Sequence, residues 1–193
     1  MSDLRDAIGS CTICAARFGA TQTRHAPRPV VWFGTSPRIL IAGQAPGLRV
    51  HQSGTPFLDR SGDRLRNWMG VDPDTFYDRT RISIVPMAFC FPGYRKGTDL
   101  PPPKICAKTW RDRVLAAMGP ADLTLLIGGA AMEWHLGGKA TVRARVSAWA
   151  DTAPSVFALP HPSWRNNAWL KKNPWFEAEV LPVLQARVKE VLQ

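Results

Sequence analysis

The chain has 193 residues, a formal net charge of +10, 45% hydrophobic residues and 21% charged residues. This length predicts one domain, and the apolar content suffices for a packed core, which excludes a disordered basic tail, a collagen and a coiled coil. No apolar run approaches the roughly 18 residues of a membrane span, and the first residues lack the apolar core of a signal peptide. We therefore expect a soluble, cytoplasmic protein with no membrane partner, associated with the nucleoid if the host is a bacterium.

The positive charge is distributed unevenly along the chain. Residues 7–58 contain no Asp or Glu but five arginines. A second basic cluster lies within residues 95–113, where six Lys or Arg residues accompany only Asp99 and Asp112. Clusters of this kind bind polyanions, so the charge pattern favours a nucleic-acid partner.

Short apolar runs bounded by turn residues alternate with helical patterns. The runs predict buried strands at residues 38–42, 81–85, 123–127 and 155–159. The helical patterns cover residues 62–69, 104–118, 130–136, 141–149 and 174–192. Pro182 should kink the last helix, because proline has no N–H to donate. The alternation predicts an α/β fold, namely a single three-layer α/β/α domain with a central four-stranded, mainly parallel sheet.

Unusual segments follow the first and last predicted strands, where ligands collect in such sheets. GQAPG at residues 43–47 should form a tight turn with exposed backbone amides. PHPSWR at residues 160–165 holds a histidine between two prolines. The polar loop at residues 53–62 carries one aromatic residue, Phe57, and one carboxylate, Asp59. We expect these segments to form a binding site, although a glycine turn or a lone histidine has a purely structural role in many proteins.

The four cysteines form a possible ligand set. Cys11 and Cys14 are separated by two residues, and Cys90 and Cys106 by fifteen. The cytoplasm keeps thiols reduced, so disulfides are not expected. Zinc would ordinarily favour a second close pair, whereas an iron–sulfur cluster tolerates the wider spacing, and scattered core cysteines are the alternative.

In this order and spacing, the segments resemble the uracil-DNA glycosylase superfamily, and most closely its iron–sulfur branch, often called family 4. GQAPG resembles the first motif of the family, GTPF at residues 54–57 its stacking-aromatic segment, and HPS at residues 161–163 its second motif. The resemblance covers nearly the whole chain. The cysteines fall in CTIC and CFPGYRKGTDLPPPKIC, where that branch places the ligands of a 4Fe-4S cluster. The resemblance thus implies one domain, residues 1–193, with residues 1–37 tied to it by a structural cluster.

The resemblance also implies an activity. A monomer would act on uracil-containing DNA and hydrolyse the N-glycosidic bond of a flipped-out deoxyuridine, leaving an abasic site for base excision repair. Phe57 would stack on the uracil, and Gly43, Gln44 and Ser163 would help to bind it. His161 would donate a hydrogen bond to the departing anion.

Four residues are expected to contact the DNA by the same resemblance: Arg49, Ser163, Trp164 and Arg165. Trp164 and Arg165 could wedge into the space that the flipped base vacates. Packing of Trp164 under the last helix is the alternative.

Two positions depart from the family pattern. Gln44 stands where the family usually has an acid or a residue that positions water, so the water falls either to Asp59 or to Gln44. Pro86 stands where the iron–sulfur branch usually has an asparagine that reads the uracil edge. Three alternatives therefore stay open: a uracil-DNA binding protein with little turnover, a glycosylase for other deaminated bases, and a non-catalytic iron–sulfur DNA-binding module.

Overall fold

A computed structural model describes residues 1–193, and a parallel sheet forms its centre. In chain order the strands are β1 (Ile39–Ala42), β2 (Ile82–Ile84), β3 (Tyr94–Arg95), β4 (Thr98–Asp99), β5 (Leu123–Ile127) and β6 (Val156–Leu159). The central sheet has the order β2-β1-β5-β6 and all its neighbours are parallel, while β3 and β4 form a separate antiparallel hairpin. Each central strand lies within a run predicted from the sequence, which confirms the four-stranded α/β fold.

Helices connect the strands and flank the sheet. They are α1 (Ser2–Gly9), α2 (Ala15–Gly19), α3 (Leu48–Ser53), α4 (Arg60–Met69), α5 (Pro73–Tyr77), α6 (Lys104–Met118), α7 (Gly129–Leu136), α8 (Val142–Ser147), α9 (Asn167–Lys172) and α10 (Leu181–Leu192). Helix α6 matches its predicted bounds because it begins after a run of prolines and ends at Gly119, whose φ of +79° suits glycine. None of these helices combines the length and the hydropathy that a transmembrane span requires.

Helical structure covers most of the predicted residues 174–192 and is irregular just before Pro182. A π-helical stretch, Phe176–Val180, runs into α10, and Pro182 lies in the first turn of α10. Proline has no N–H to donate and its ring crowds the preceding turn, and a wider π turn relieves that crowding. The irregularity therefore lies before Pro182, in the wider π turn.

The two faces of the sheet pack against different helices. Ile39 and Ile41 of β1 belong to a cluster of 26 buried residues that includes side chains of α4, α7, α8 and α10. Leu40 faces the other way and packs in a cluster of 8 with Ile8 of α1 and Val114 of α6. Helices on both faces give the three predicted layers and leave the loops at the strand ends to bind a ligand.

The strand order reverses beside β1, since β2 lies on one side of it and β5 on the other. In open parallel sheets, a crevice for ligands forms at such a point, outside the carboxyl ends of the strands. The loops there are bonded to each other, because the Met87 N–H donates to the Gly43 carbonyl over 2.9 Å and the Ala88 N–H to the Gln44 carbonyl over 3.0 Å. The crevice therefore has a fixed backbone wall.

Candidate active site

Five of the predicted site residues lie in loops at the carboxyl edge of the central sheet. We call them the edge site: Gly43, Gln44, Phe57, Asp59 and His161. Gly43 and Gln44 lie in the loop after β1, Phe57 and Asp59 in the loop between α3 and α4, and His161 in the loop after β6.

Gln44 lies at the reversal point between β1 and β5. Its side chain packs against Gly128, directly after β5, so closely that a Cβ on Gly128 would lie 2.5 Å from Gln44 Nε2. Gly128 also has a φ of +82°, a conformation that glycine adopts without strain. The close approach places the Gln44 amide in the crevice between the two strands, where it can bond to a ligand.

Phe57 covers the backbone at Gly43. A Cβ on Gly43 would lie 3.9 Å from Phe57 Cζ. The Phe57 ring packs edge-on against Phe76 with centroids 6.1 Å apart, and its carbonyl accepts a hydrogen bond from the Tyr77 hydroxyl over 3.2 Å. These contacts hold the ring beside the crevice, as stacking on a planar ligand requires.

Asp59 is the N-cap of α4. Its Oδ1 accepts a hydrogen bond from the Gly62 N–H over 3.0 Å, which satisfies one of the free donors of the first turn. Gly62 itself must lack a side chain, because a Cβ there would lie 1.7 Å from the Phe57 carbonyl oxygen. The cap uses one carboxylate oxygen and leaves Oδ2 for another partner.

His161 follows β6 by two residues and is held at both its ring and its backbone. The Ser163 N–H donates to His161 Nδ1 over 3.2 Å, and Asn166 Nδ2 donates to the His161 carbonyl over 2.7 Å. Burial lowers the pKa of His161, an effect that the nearby Asp59 carboxylate opposes. The ring is therefore neutral at pH 7, and because Nδ1 accepts a hydrogen bond, the proton is on Nε2.

The loop that carries His161 is tied to two other parts of the molecule. Arg64 of α4 donates to the Ser163 carbonyl over 3.2 Å, and the Ser163 hydroxyl accepts from the Arg165 N–H over 3.2 Å. The Arg165 guanidinium also donates to the Gly97 carbonyl in the β3–β4 turn over 3.4 Å. The basic hairpin and the His161 loop therefore share one surface.

Trp164 projects from this surface. Its side chain is 69% exposed, so it does not pack under the last helix, and the Arg165 guanidinium carbon lies 5.9 Å from its ring centroid. Arg49, on α3, is also exposed. Both predicted DNA-contacting arginines are thus available to phosphates.

The four cysteines line one shared cavity, which we call the cysteine cavity. It is lined mainly by apolar side chains, among them Ile13, Phe18, Ile105 and Trp110. No cysteine is in a disulfide. Burial, reinforced by the neighbouring thiols, raises the pKa of Cys90 to about 12 and that of Cys106 to about 11.

The donors of the cysteine cavity are all sulfur atoms. No group of three or more His, Cys, Asp or Glu side chains is arranged as a metal-ion site. The Phe89 N–H donates to Cys106 Sγ over 3.4 Å. A backbone donor is therefore already directed at one of the four sulfurs.

Pro86 lies at the end of β2, on the wall that bonds to the Gly43 loop. Its ring has no hydrogen-bonding group, and its carbonyl accepts from Arg111 of α6 over 3.3 Å. A side-chain amide is therefore absent at this position, and residue 86 does not read a base edge as an asparagine would.

A family model described as the Uracil DNA glycosylase superfamily matches residues 31–185. The chain belongs to this superfamily. The match contains the whole central sheet and the edge site, whereas Cys11 and Cys14 lie before it. Membership supports a function of the DNA glycosylase type with DNA as the partner.

Three residues that shape the edge site were not predicted from the sequence. Gly128 could have been found, because the pair Gly128–Gly129 follows a predicted strand just as Gly43 does. Arg64 and Asn166 carry no such signal. The contact of Arg64 with Ser163 joins residues 99 positions apart and becomes visible only in the folded chain.

Proposed function

We propose that the protein is a uracil-DNA glycosylase that hydrolyses the N-glycosidic bond of a flipped-out deoxyuridine and leaves an abasic site. The observation that carries the proposal is the placement of His161, whose Nδ1 accepts a hydrogen bond from the Ser163 N–H, so that the proton of the neutral ring is on Nε2 and can be donated to a ligand. His161 shares the edge site with the Phe57 ring, on which a base can stack, and with the Asp59 carboxylate.

Base binding follows from the shape of the edge site. A flipped uracil would stack on Phe57, which lies against Gly43. Its polar edge would meet the Gln44 amide, which offers both a donor and an acceptor. Arg49 and Arg165 would hold phosphates, and the exposed Trp164 would occupy the space left in the duplex.

Bond cleavage puts negative charge on the departing base. As the bond from C1′ to N1 breaks, its electron pair stays on the uracil, chiefly at N1 and O2. The His161 Nε2–H would donate to this anion, and one such preorganised donor contributes roughly 3 to 4 kcal/mol to the transition state. Neutral His161 keeps its proton and acts as a donor.

Water completes the reaction by attack at C1′. Asp59 can accept the water proton, and its charge already influences the pKa of His161, which indicates that the two groups are close. Gln44 cannot accept a proton but can orient the water by hydrogen bonding. Asp59 is therefore the proposed base, and Gln44 the alternative.

We also propose that Cys11, Cys14, Cys90 and Cys106 bind one 4Fe-4S cluster. Support comes from the four sulfur donors that line one shared cavity and from the Phe89 N–H bonded to Cys106 Sγ, since such bonds tune cluster sulfurs. When bound, a cluster would supply a structural link between the N-terminal segment and α6. The hydrolysis proposed above needs none of its electrons.

A uracil-DNA binding protein with little turnover is the second candidate. Two observations favour it: Gln44 has no acid–base chemistry, and one oxygen of Asp59 is used by the helix cap. The two candidates predict different products from the same DNA.

The test is a single-turnover assay with excess protein and a labelled oligonucleotide that contains one uracil. Free base, abasic DNA and retained complex are measured separately. The proposed enzyme releases uracil in step with abasic-site formation, whereas a binding protein retains intact DNA. Parallel oligonucleotides with hypoxanthine or xanthine show whether other deaminated bases are released, and His161→Ala is the control for adventitious glycosylase.

A further inference from the structure

Arg111 is a buried cation behind the edge site. It is 1% exposed. One guanidinium nitrogen donates to the Val85 carbonyl over 3.0 Å and to the Pro86 carbonyl over 3.3 Å, and the other contacts His135 Nε2. Its Nε has no partner.

The charge of Arg111 has no buried counter-ion. The ion pairs of the protein involve Arg38, Arg66 and Arg187. The neighbouring Asp112 is exposed to solvent, and His135 is neutral because burial, with Arg111 beside it, lowers the His135 pKa to about 4. Burial of a cation without a counter-ion is strongly unfavourable, so the position of Arg111 behind the edge site calls for a compensating role.

The guanidinium is separated from the base-binding loop by a single peptide group. The carbonyl of the peptide that joins Pro86 to Met87 accepts from Arg111, and the N–H of the same peptide donates to the Gly43 carbonyl over 2.9 Å. Gly43 in turn lies against Phe57. A base stacked on Phe57 would therefore lie on the other side of this wall from a positive charge.

We propose that Arg111 is a positioning residue whose buried charge stabilises the departing base anion through the peptide wall behind Gly43. This inference rests on the proposed glycosylase function and adds a second source of leaving-group stabilisation to His161. Charges act over longer distances in a protein interior than in water, so direct contact is not required.

A purely structural role makes a different prediction. If Arg111 only tied α6 to the end of β2, a carboxylate beside it would strengthen the tie and leave the chemistry unchanged. If its charge assists the leaving group, the same carboxylate would neutralise that charge and slow the reaction. His135→Glu introduces this carboxylate while Arg111 and its carbonyl contacts stay in place.

The experiment compares single-turnover release of uracil and 5-fluorouracil from matched oligonucleotides. Fluorine makes the base a better leaving group, so its release depends less on stabilisation by the protein. His135→Gln, which keeps a neutral acceptor, is the control. Circular dichroism and urea unfolding check the fold of each variant, and Arg111→Met, which removes the charge itself, provides a second route if His135→Glu does not fold.

The expected result is that His135→Glu releases uracil roughly tenfold more slowly than His135→Gln, while 5-fluorouracil release falls much less. Arg111→Met should show the same selectivity. Equal slowing of both bases, or no slowing, would overturn the inference and leave the glycosylase proposal intact. Wild-type protein that releases neither base would overturn both.

Discussion

The edge site and the cysteine cavity are built in opposite ways. Polar contacts hold the edge site, such as the Ser163 N–H on His161 and the Gly62 N–H on Asp59. Apolar side chains line the cysteine cavity, where the Phe89 N–H donates to Cys106 Sγ. The edge site is thus preorganised by the chain itself, whereas the cavity gathers four thiols that the proposed cluster would bind.

This contrast predicts how substitutions divide between activity and stability. Changes in the edge site should lower the rate of base release with little change in folding. Changes in the cysteine cavity should lower stability and leave the chemistry of the remaining folded protein largely intact.

The largest expected effect on activity comes from His161→Ala. Loss of the donor to the departing base should reduce the single-turnover rate roughly 100-fold to 1,000-fold, with DNA binding largely retained. His161→Gln restores an N–H donor and should lie between wild type and alanine. Full activity in His161→Ala would show that another group assists the leaving base.

Asp59 tests which residue handles water. Asp59→Ser keeps an N-cap oxygen but removes the carboxylate, so it should lower the rate about 100-fold without loss of stability. Asp59→Ala should lower the rate equally and also cost about 1 kcal/mol in the free energy of unfolding. If Gln44 positions the water alone, Asp59→Ser will be nearly silent and Gln44→Ala severe.

In the cysteine cavity, Cys90→Ser should abolish a brown chromophore absorbing at about 400 nm in anaerobically purified protein and lower the melting temperature. Ile105→Ala, which trims the cavity wall without removing a sulfur, should keep the chromophore. Iron and zinc analysis checks the metal. One zinc per chain with no iron would contradict the cluster.

Acid should weaken the fold through His135, which anchors Arg111 behind the edge site. The unfolded chain binds its proton at a pKa of about 6.5, whereas the folded chain resists protonation until about pH 4. Stability should therefore fall as the pH drops from 6.5 to 4, by about 3 kcal/mol from this residue. Urea midpoints at pH 7 and pH 5 should differ less in His135→Gln than in wild type; an equal difference would remove His135 from this account.

The smallest expected effect is on the salt dependence of DNA binding, through the positive charge of Arg49. Arg49→Gln should lower the slope of log affinity against log salt by about one, because one phosphate contact is lost. Arg187 bonds to the Asp122 carbonyl at the opposite end of β5, so Arg187→Gln is the matched control and should leave the slope unchanged. Similar slopes in both variants would show that Arg49 does not face the DNA.

Much of the fold could be predicted because buried parallel strands form continuous apolar runs, such as residues 123–127, bounded by turn residues. Helix α3 was not predicted, since Leu48–Ser53 has no apolar periodicity and its bounds are set by Gly47 and Gly54. The hairpin of β3 and β4 was missed because each strand has two residues.

The edge site could be predicted in outline because Gly43, Gln44 and His161 follow parallel strands whose carboxyl ends lie at one edge, and Phe57 and Asp59 lie in the polar loop before α4. The tautomer of His161 could not, since it depends on the direction of the Ser163 N–H. The lack of a buried counter-ion for Arg111 could not be predicted either, because no sequence pattern shows which groups a buried guanidinium will contact. The sequence therefore indicated which residues lie near each other at the edge site. Their protonation and hydrogen bonding depend on contacts between distant parts of the chain.

The most direct test of the central claim is the protonation state of His161, measured by 15N nuclear magnetic resonance of the ring nitrogens at pH 7, with assignment by comparison with His161→Gln. The account predicts a neutral imidazole protonated at Nε2, with the Nδ1 shift of an unprotonated acceptor. An imidazolium, or a neutral ring protonated at Nδ1, would contradict it.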